Sequence, residues 1–249
     1  MIIVGDIGNT EVKICFFYNG LKKKYLFKTD SLNKKIIRNK FNFLRKKIYL
    51  KNAIISSVVP KTFTQIKKIF YNLYKVNCIE LKKLNLTRLI NIKVNKKEIG
   101  SDRLANAISV MSKKKNFIVV DFGTATTFDV IKKNNYLGGV IAPGVTLSLD
   151  NLIKKASLIP KIELHKSKSI IGKNTEQAVL SGFFWGYNGL INGIISKIKK
   201  KTNQKYKIVF TGGLAHLFNK DIKDKVTIDK NLTINGLIKV SKHFNLWKM

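Results

Sequence analysis

Cysteine and histidine, which build disulfide scaffolds and most transition-metal sites, are scarce in this sequence. There are two cysteines, Cys15 and Cys78, and three histidines among 249 residues. The cysteines form no C-x-x-C motif, and the histidines are scattered without metal-ligand spacing. We therefore interpret the cysteines as small apolar residues in a reducing compartment, and we expect no histidine-based metal centre.

Acidic residues and arginine are scarce as well. Only 14 aspartates and glutamates oppose 48 lysines and arginines, which gives a formal net charge of +34. Charge of this size is typical of nucleic-acid binding, but only four of the basic residues are arginines, the cation that usually contacts phosphate and base edges. The lysines are dispersed along the whole chain. We therefore interpret the positive charge as a drift in composition, and we expect no nucleic-acid partner. The alternative is a surface dedicated to nucleic-acid binding.

A basic leader segment is also absent. The N-terminus reads MIIVGDIGNT, with an acid at position 6, so no signal peptide is expected and the predicted location is the cytoplasm. The apolar stretch VLSGFFWGYNGLINGII could suggest a membrane span. Its glycines follow at intervals of four, three and four residues, which places them on one helical face (Gly182, Gly186, Gly189 and Gly193). We expect a buried interface helix and no membrane partner.

The apolar content that is present, 45% of the residues, is typical of a folded protein. Apolar runs predict strands at 2–7, 14–18, in NAIISSVVP up to Pro60, at 77–80, and again from Asn116. A turn is predicted at Asn19-Gly20, and helices over 30–50, from Pro60 to about Leu73, and in SDRLANAISVMS. A late strand is predicted in YKIVFTGG. Strands that alternate with helices indicate an α/β fold.

The strand pattern that begins again at Asn116 belongs to an internal repeat. IIVGDIGNTEVKICFF and FIVVDFGTATTFDVI share one plan, in which a strand ends in Asp-x-Gly, small polar residues follow, and a second strand begins. The repeat predicts two duplicated lobes, residues 1–115 and 116–249, with a nucleotide cleft between them.

The Asp-x-Gly turns suggest a chemistry. Glycine lets backbone N–H groups approach a phosphate, and hydroxyl or amide side chains beside it (Asn9, Thr10, Thr124 and Thr126) add donors. An aspartate repels phosphate directly but can hold a hydrated Mg²⁺ that neutralises it. The alternative for each turn is an ordinary hairpin. The kinase tripeptide DFG at 121–123 is interpreted as a chance match because its partner motifs are absent, and no Walker A motif is present.

A further candidate site is GSDR at 100–103, which places an acid and a base at a predicted helix start. Ser101 or Asp102 could simply cap the helix. In the functional interpretation, Asp102 accepts a proton and Arg103 binds an anion.

Six motifs in order resemble the type III pantothenate kinase family: DIGNT, GSDR, DFGTATT, GGVIAPG, NTEQAVLSGFFWG and FTGG, from Asp6 to Gly213. The resemblance implies the actin-like ATPase fold with two ribonuclease-H-like lobes. It also implies a homodimer and the ATP-dependent phosphorylation of pantothenate, with Mg²⁺ and a monovalent cation, K⁺ or NH₄⁺.

The resemblance also assigns roles to individual positions. Asp102 would be the catalytic proton acceptor, Asp121 would hold the monovalent cation, and Asp6 is the candidate to hold Mg²⁺ through water. The ATP-binding residues would be Asp6, Ile7, Gly8, Asn9, Thr10, Glu11, Val12, Lys13 and Thr124. The pantothenate contacts would be Gly100, Ser101, Asp102, Arg103 and Thr175.

The chain departs from the family at one place. Members often carry a tyrosine and a proline shortly before the GSDR motif, where this sequence has Lys93 and Lys96. Two alternative functions stay open. One is another small-molecule kinase of the same superfamily, and the other is a non-catalytic regulator that binds nucleic acid through its positive charge.

Overall fold

The computed structural model describes residues 2–18, 21–43 and 52–246. The strands in this part of the chain are β1 Ile2–Ile7, β2 Glu11–Tyr18, β3 Leu21–Lys28, β4 Asn52–Ser57, β5 Asn77–Glu80, β6 Asn91–Ile92, β7 Asn116–Phe122, β8 Ala125–Lys132, β9 Asn135–Pro143, β10 Lys207–Gly212 and β11 Val226–Ile228. The helices are α1 Lys34–Lys40, α2 Pro60–Tyr74, α3 Ser101–Val110, α4 Val145–Lys155, α5 Thr175–Thr202, α6 Ala215–Phe218 and α7 Leu232–His243.

The chain divides into two compact units. Unit 1 comprises Met1–Val110 together with Asn231–Met249, and unit 2 comprises Met111–Lys230. The break at 110/111 lies close to the predicted lobe boundary at 115/116. The last helix, α7, is counted with the second lobe in the predicted division but packs in unit 1.

The packing of α7 explains this difference. It lies against α3 and the central strand β1. At Gly236 the two helices are so close that a Cβ atom would lie 1.9 Å from the carbonyl oxygen of Ala105, so only glycine fits there. The Lys239 ammonium donates to the carbonyl oxygens of Ile108 and Ser109 at the end of α3, and burial lowers the pKa of Lys239. The C-terminal helix therefore completes unit 1.

The sheet of unit 1 has the order β3-β2-β1-β4-β5. β1 pairs antiparallel with β2 and parallel with β4. One side of the sheet carries a hydrophobic core built from strand residues such as Ile3 and Ile55 and from α1 and α2, with Ile37, Phe70 and Tyr74 buried. Contacts of α3 and α7 with β4 cover the sheet as well.

The strands of unit 2 repeat this topology. Their order is β11-β10-β7-β8-β9, with β7 antiparallel to β8 and parallel to β10. Apolar residues of β7 and β10 pack on the long helix α5 through Phe184, Ile191 and Ile195. The two units share one strand plan, which confirms the duplication predicted from the sequence.

Most predicted elements are confirmed within one or two residues. Pro60 begins α2 at a position where its missing N–H costs nothing, and α2 ends where Lys75 adopts a left-handed conformation. The strand at Asn77–Glu80 and the late strand β10 are also confirmed. The predicted turn at Asn19-Gly20 and part of the predicted 30–50 helix lie outside the described residues. The described part of that helix, α1, is only seven residues long.

Candidate active site

The first candidate phosphate loop connects β1 and β2. Asp6 lies opposite Lys13 and Ile7 opposite Val12 in the antiparallel ladder. The bend is closed by a hydrogen bond from the Gly8 N–H to the Glu11 carbonyl oxygen (2.9 Å). The predicted ATP contacts Asn9, Thr10 and Glu11 are exposed at its tip. The loop therefore offers polar groups to solvent.

Thr29, which was not predicted, supports this loop from the position directly after β3. Its hydroxyl donates to the Gly8 carbonyl oxygen (2.8 Å), and its N–H donates to the Thr10 carbonyl oxygen (3.0 Å). The side chains of Ile7 and Val12 lie in the hydrophobic core and are 1% and 0% exposed. Any contact of these two residues with a nucleotide would be made by their backbone atoms.

The second candidate loop connects β7 and β8 in unit 2. Asp121 lies opposite Thr127 on β8 and beside Thr211 on β10. Asp6 is placed equivalently in unit 1, opposite Lys13 and beside Ser56 on β4. Thr124 is exposed at the bend. The two aspartates thus occupy matching positions, as the sequence repeat predicts.

The end of β10 closely approaches Asp121. Gly212 has a positive φ of 87°, and a Cβ atom there would lie 2.5 Å from the Phe122 carbonyl oxygen and 2.7 Å from Asp121 Oδ1. The hydroxyls of Thr126 and Thr127 are buried and have no hydrogen-bond partner among the described residues. Buried hydroxyls without a partner are uncommon, and here they lie at the start of β8, where Thr127 is paired with Asp121. Such donors fit an oxygen-rich ligand at this loop.

The GSDR motif forms the start of α3. The Leu104 N–H donates to the Gly100 carbonyl oxygen (3.1 Å), which is the first helical bond. Asp102 Oδ1 accepts a hydrogen bond from the Arg103 N–H (2.8 Å), and both side chains are half-buried. Asp102 therefore contacts the helix terminus through one oxygen, but at the adjacent N–H, whereas a capping side chain accepts from the N–H two or three residues further on. The bond leaves the other oxygen of the carboxylate for a second role.

Ser101 differs from its neighbours because its side chain is buried. It is 1% exposed, and its hydroxyl donates to Glu80 Oε1 (2.6 Å). Glu80 lies 21 residues earlier, and no local pattern in the sequence indicates this contact. Of the two departures from the family pattern, Lys93 is exposed, whereas the Lys96 ammonium donates to the Leu84 carbonyl oxygen (3.0 Å).

The last predicted substrate contact, Thr175, is the first residue of α5 and is exposed. Asn174 caps this helix by accepting a hydrogen bond from the Gln177 N–H (2.9 Å), and Gln177 Oε1 accepts one from the Lys173 N–H (3.0 Å). This reciprocal cap fixes the backbone on which Thr175 is presented.

The distribution of the candidate residues follows the two units. Asp6–Lys13 and Gly100–Arg103 belong to unit 1, and Asp121, Thr124 and Thr175 belong to unit 2. Across the described ranges, no group of three or more histidine, cysteine or acidic side chains could hold a metal ion. Mg²⁺ usually needs only one or two carboxylates, with water and substrate phosphates as its other ligands. One carboxylate, that of Asp6, is therefore enough for Mg²⁺ bound together with a nucleotide.

The glycine-rich helix α5 is not in contact with other parts of the described chain along its glycine stripe. A Cβ atom at Gly182, Gly186, Gly189 or Gly193 would meet nothing within 4 Å. The predicted close packing is therefore not made by the described residues of this chain. Within 2–18, 21–43 and 52–246, no helix, α5 included, is both long and apolar enough to cross a membrane.

Solved structures with the same fold define the fold class. A protein from Campylobacter jejuni, provisionally described as a Baf family transcriptional activator, matches with a TM-score of 0.64 and 21% identity over 98% of this chain and 99% of that one. A ROK family glucokinase from Streptomyces griseus, solved with glucose and AMPPNP, matches with a TM-score of 0.55 and 9% identity over 97% and 99%. At these identities the likeness shows the fold alone: a two-lobed α/β fold of the actin-like ATPase type.

Sequence relatives identify the family within this class. The family model for type III pantothenate kinase matches residues 2–197. A type III pantothenate kinase of Pelagibacter ubique (strain HTCC1062) is 56% identical over 246 residues, which cover 97% of this chain and 98% of the relative. The chain belongs to the type III pantothenate kinase family.

Proposed function

We propose that this protein transfers the terminal phosphoryl group of ATP to the primary hydroxyl of pantothenate. The product is 4'-phosphopantothenate, and the reaction is the first step of coenzyme A biosynthesis. Family membership over nearly the whole chain carries the proposal, and the motif residues that the reaction needs are intact. They are the loop Asp6–Lys13, the turn Gly100–Arg103 and Asp121.

The two Asp-x-Gly loops are the proposed nucleotide contacts. In unit 1, the exposed Asn9 and Thr10 offer polar groups at the bend, and in unit 2 the exposed Thr124 does the same. Asp6 would hold Mg²⁺ through water, and the ion would neutralise charge on the phosphates. The Gly8 carbonyl oxygen is held by the Thr29 hydroxyl (2.8 Å), which fixes the bend before a ligand arrives.

Asp102 is the proposed proton acceptor. As the new O–P bond forms, the bond between the β- and γ-phosphates breaks, ADP leaves, and the hydroxyl proton passes to Asp102. Phosphoryl transfer depends mostly on positioning and charge neutralisation, so the base needs to accept its proton only late in the step. Arg103, next on the same helical turn, would bind the pantothenate carboxylate.

Asp121 is the proposed site of a monovalent cation, K⁺ or NH₄⁺. The support is its place at a strand end, with buried, unpartnered threonine hydroxyls at the start of the neighbouring strand β8. Turnover measured in K⁺, NH₄⁺, Na⁺ and a bulky organic cation tests this role. We expect activity only with the first two, and equal rates in all four would contradict it.

We further propose that the protein acts in the cytoplasm as a homodimer. Neither Cys15 nor Cys78 forms a disulfide, which fits a reducing compartment. The glycine stripe of α5 and exposed apolar residues elsewhere in unit 2, such as Ile141 and Leu158, are candidate contacts for a second copy.

A coupled assay of ADP release, with and without pantothenate, tests the proposed reaction, and mass spectrometry identifies the product. We expect ADP release that depends on pantothenate. If pantothenate fails and another alcohol is phosphorylated, the protein is a different kinase of the same superfamily. If no alcohol serves as acceptor, the protein is not a kinase of this type.

A further inference from the structure

Glu80, the last residue of β5, bonds directly to the turn that begins α3. Its Oε1 accepts a hydrogen bond from the Ser101 hydroxyl (2.6 Å), and its Oε2 accepts one from the Lys82 N–H (2.8 Å). Both bonds have a charged acceptor, which places them in the stronger class of protein hydrogen bonds. A single carboxylate thus joins the end of β5 to the GSDR motif.

Lys82 reinforces this connection from the same short segment. Its ammonium donates to the carbonyl oxygens of Lys97 and Ile99, each at 2.8 Å. The Lys96 ammonium bonds in return to the Leu84 carbonyl oxygen (3.0 Å). Residues 80–84 therefore hold the chain on both sides of Gly100 through side-chain bonds. We call Glu80 and Lys82 the turn clamp.

The turn clamp holds the residues that the reaction requires. Asp102 and Arg103 follow Ser101 directly, so the position of the Ser101 side chain sets where the first turn of α3 starts. Ser101 is buried and its hydroxyl is used by Glu80, so its side chain serves to anchor the turn. A displacement of about 1 Å in a reacting group can cost roughly 10²-fold in rate.

We propose that Glu80 is a positioning residue for the pantothenate site and acts through Ser101. Its carboxylate fixes Ser101, and Ser101 in turn places Asp102 and Arg103 against the acceptor substrate. This proposal rests on the proposed function and deepens it. Glu80 does not need to touch the substrate.

The test compares three variants in the ADP-release assay. Glu80→Ala removes the anchor, and Glu80→Gln keeps an oxygen that can accept from Ser101 but lacks the charge. Glu98→Ala is the matched control, because Glu98 lies in the loop just before Gly100, is exposed, and its carboxylate accepts a hydrogen bond from the Asn95 side chain (2.7 Å) as its one described side-chain bond. All three variants remove one negative charge.

We expect Glu80→Ala to lower kcat/KM for pantothenate by about tenfold to 10²-fold, with KM for ATP changed less than about twofold. Glu80→Gln should have a smaller effect in the same direction, and it provides the measurement if Glu80→Ala does not fold. Glu98→Ala should match the wild type. A lower melting temperature with unchanged kcat/KM in both Glu80 variants would show a structural role only and overturn the proposal.

A double variant tests the route through Ser101. If Glu80 acts through Ser101, then Glu80→Ala combined with Ser101→Ala should be no worse than the more damaging single change. Additive losses would overturn this route. If the wild-type protein releases no ADP with pantothenate, the proposed function itself is overturned. If the wild type is active and the Glu80 variants are equally active, only the role of Glu80 is overturned.

Discussion

At the scale of single residues, one substitution of Asp102 distinguishes a catalytic role from a capping role. One of its oxygens accepts from the Arg103 N–H (2.8 Å), and the amide oxygen of asparagine can keep that bond. We therefore expect Asp102→Asn to lower kcat by roughly 10²–10⁴ because the basic oxygen is lost. KM for ATP and the melting temperature should change little. Near-normal kcat with earlier melting would make Asp102 only a helix cap.

Gly212 provides a test of the second loop that is independent of catalysis. Its positive φ of 87° and its closeness to Asp121 Oδ1 leave no room for a side chain. We expect Gly212→Ala to destabilise the protein by roughly 1–3 kcal/mol, measured by denaturant unfolding. Gly213→Ala is the control, because a Cβ atom there meets nothing within 4 Å. Equal stability of the two variants would contradict the described close approach.

The thiol of Cys78 gives a prediction that depends on pH. Burial raises the pKa of Cys78 to about 12, so the folded protein keeps this proton when an exposed thiol would lose it. Its contribution to stability is fully present below the ordinary value of 9.0 and is lost as the pH rises toward 12. At pH 8, a thiol reagent should label Cys78 only after unfolding. Rapid labelling of Cys78 in native protein would contradict its burial.

Sequence reasoning identified the residues of the motifs but not the residues that support them. Asp6, Asp102 and Asp121 stand in recognisable local patterns, so their positions could be predicted. Glu80 and Thr29 could not be predicted, because each bonds to a turn 21 residues away in the sequence. Only folding brings each of them next to its turn. Ile7 and Val12 belong to a binding motif by position, yet their side chains are in the core.

At the scale of elements, helix α5 carries the prediction about assembly. Replacing Gly186 by Leu adds a side chain on a face that is open in a single chain. In a homodimer packed through this face, the leucine should weaken association by roughly 1–3 kcal/mol. Sedimentation should then show dissociation at concentrations where the wild type is a dimer.

The control for the assembly test is Gln65→Leu, which adds a leucine at an exposed position on α2. This change should leave the oligomeric state as in the wild type. A wild type that sediments as a fully active monomer would contradict the predicted dimer.

The elements also show where periodicity is informative. Apolar, β-branched runs such as IIVGDI and NAIISS became central strands, as predicted. Strand β3, LKKKYLFK, was not predicted, because its lysines conceal the alternation of apolar residues. It belongs to the sheet because it continues the antiparallel ladder of β2. Its pairing comes from a neighbouring strand and cannot be read from its own composition.

At the scale of the whole molecule, the charge of +34 is the largest departure from ordinary composition. We expect it to be incidental to function. DNA affinity, measured against salt concentration, should be weak and should be lost at physiological salt. One candidate binding place for DNA can be tested directly. It is the surface pocket lined by Lys34, Lys35 and Arg38 of α1 and by two asparagines. Tight binding at physiological salt that disappears when these three cations become alanine would contradict this expectation.

The completion of unit 1 by α7 has a consequence for how the protein is made. Helix α7 packs on α3 and β1, but the ribosome must synthesise all of Met111–Lys230 before it emerges. Domains generally fold in the order of their synthesis. Here the unit that begins first cannot be finished until the second is already complete. The strand that carries Asp6 therefore lacks its contact with α7 until synthesis is nearly finished. A nascent chain stopped before Asn231 would contain all of the second unit and only part of the first.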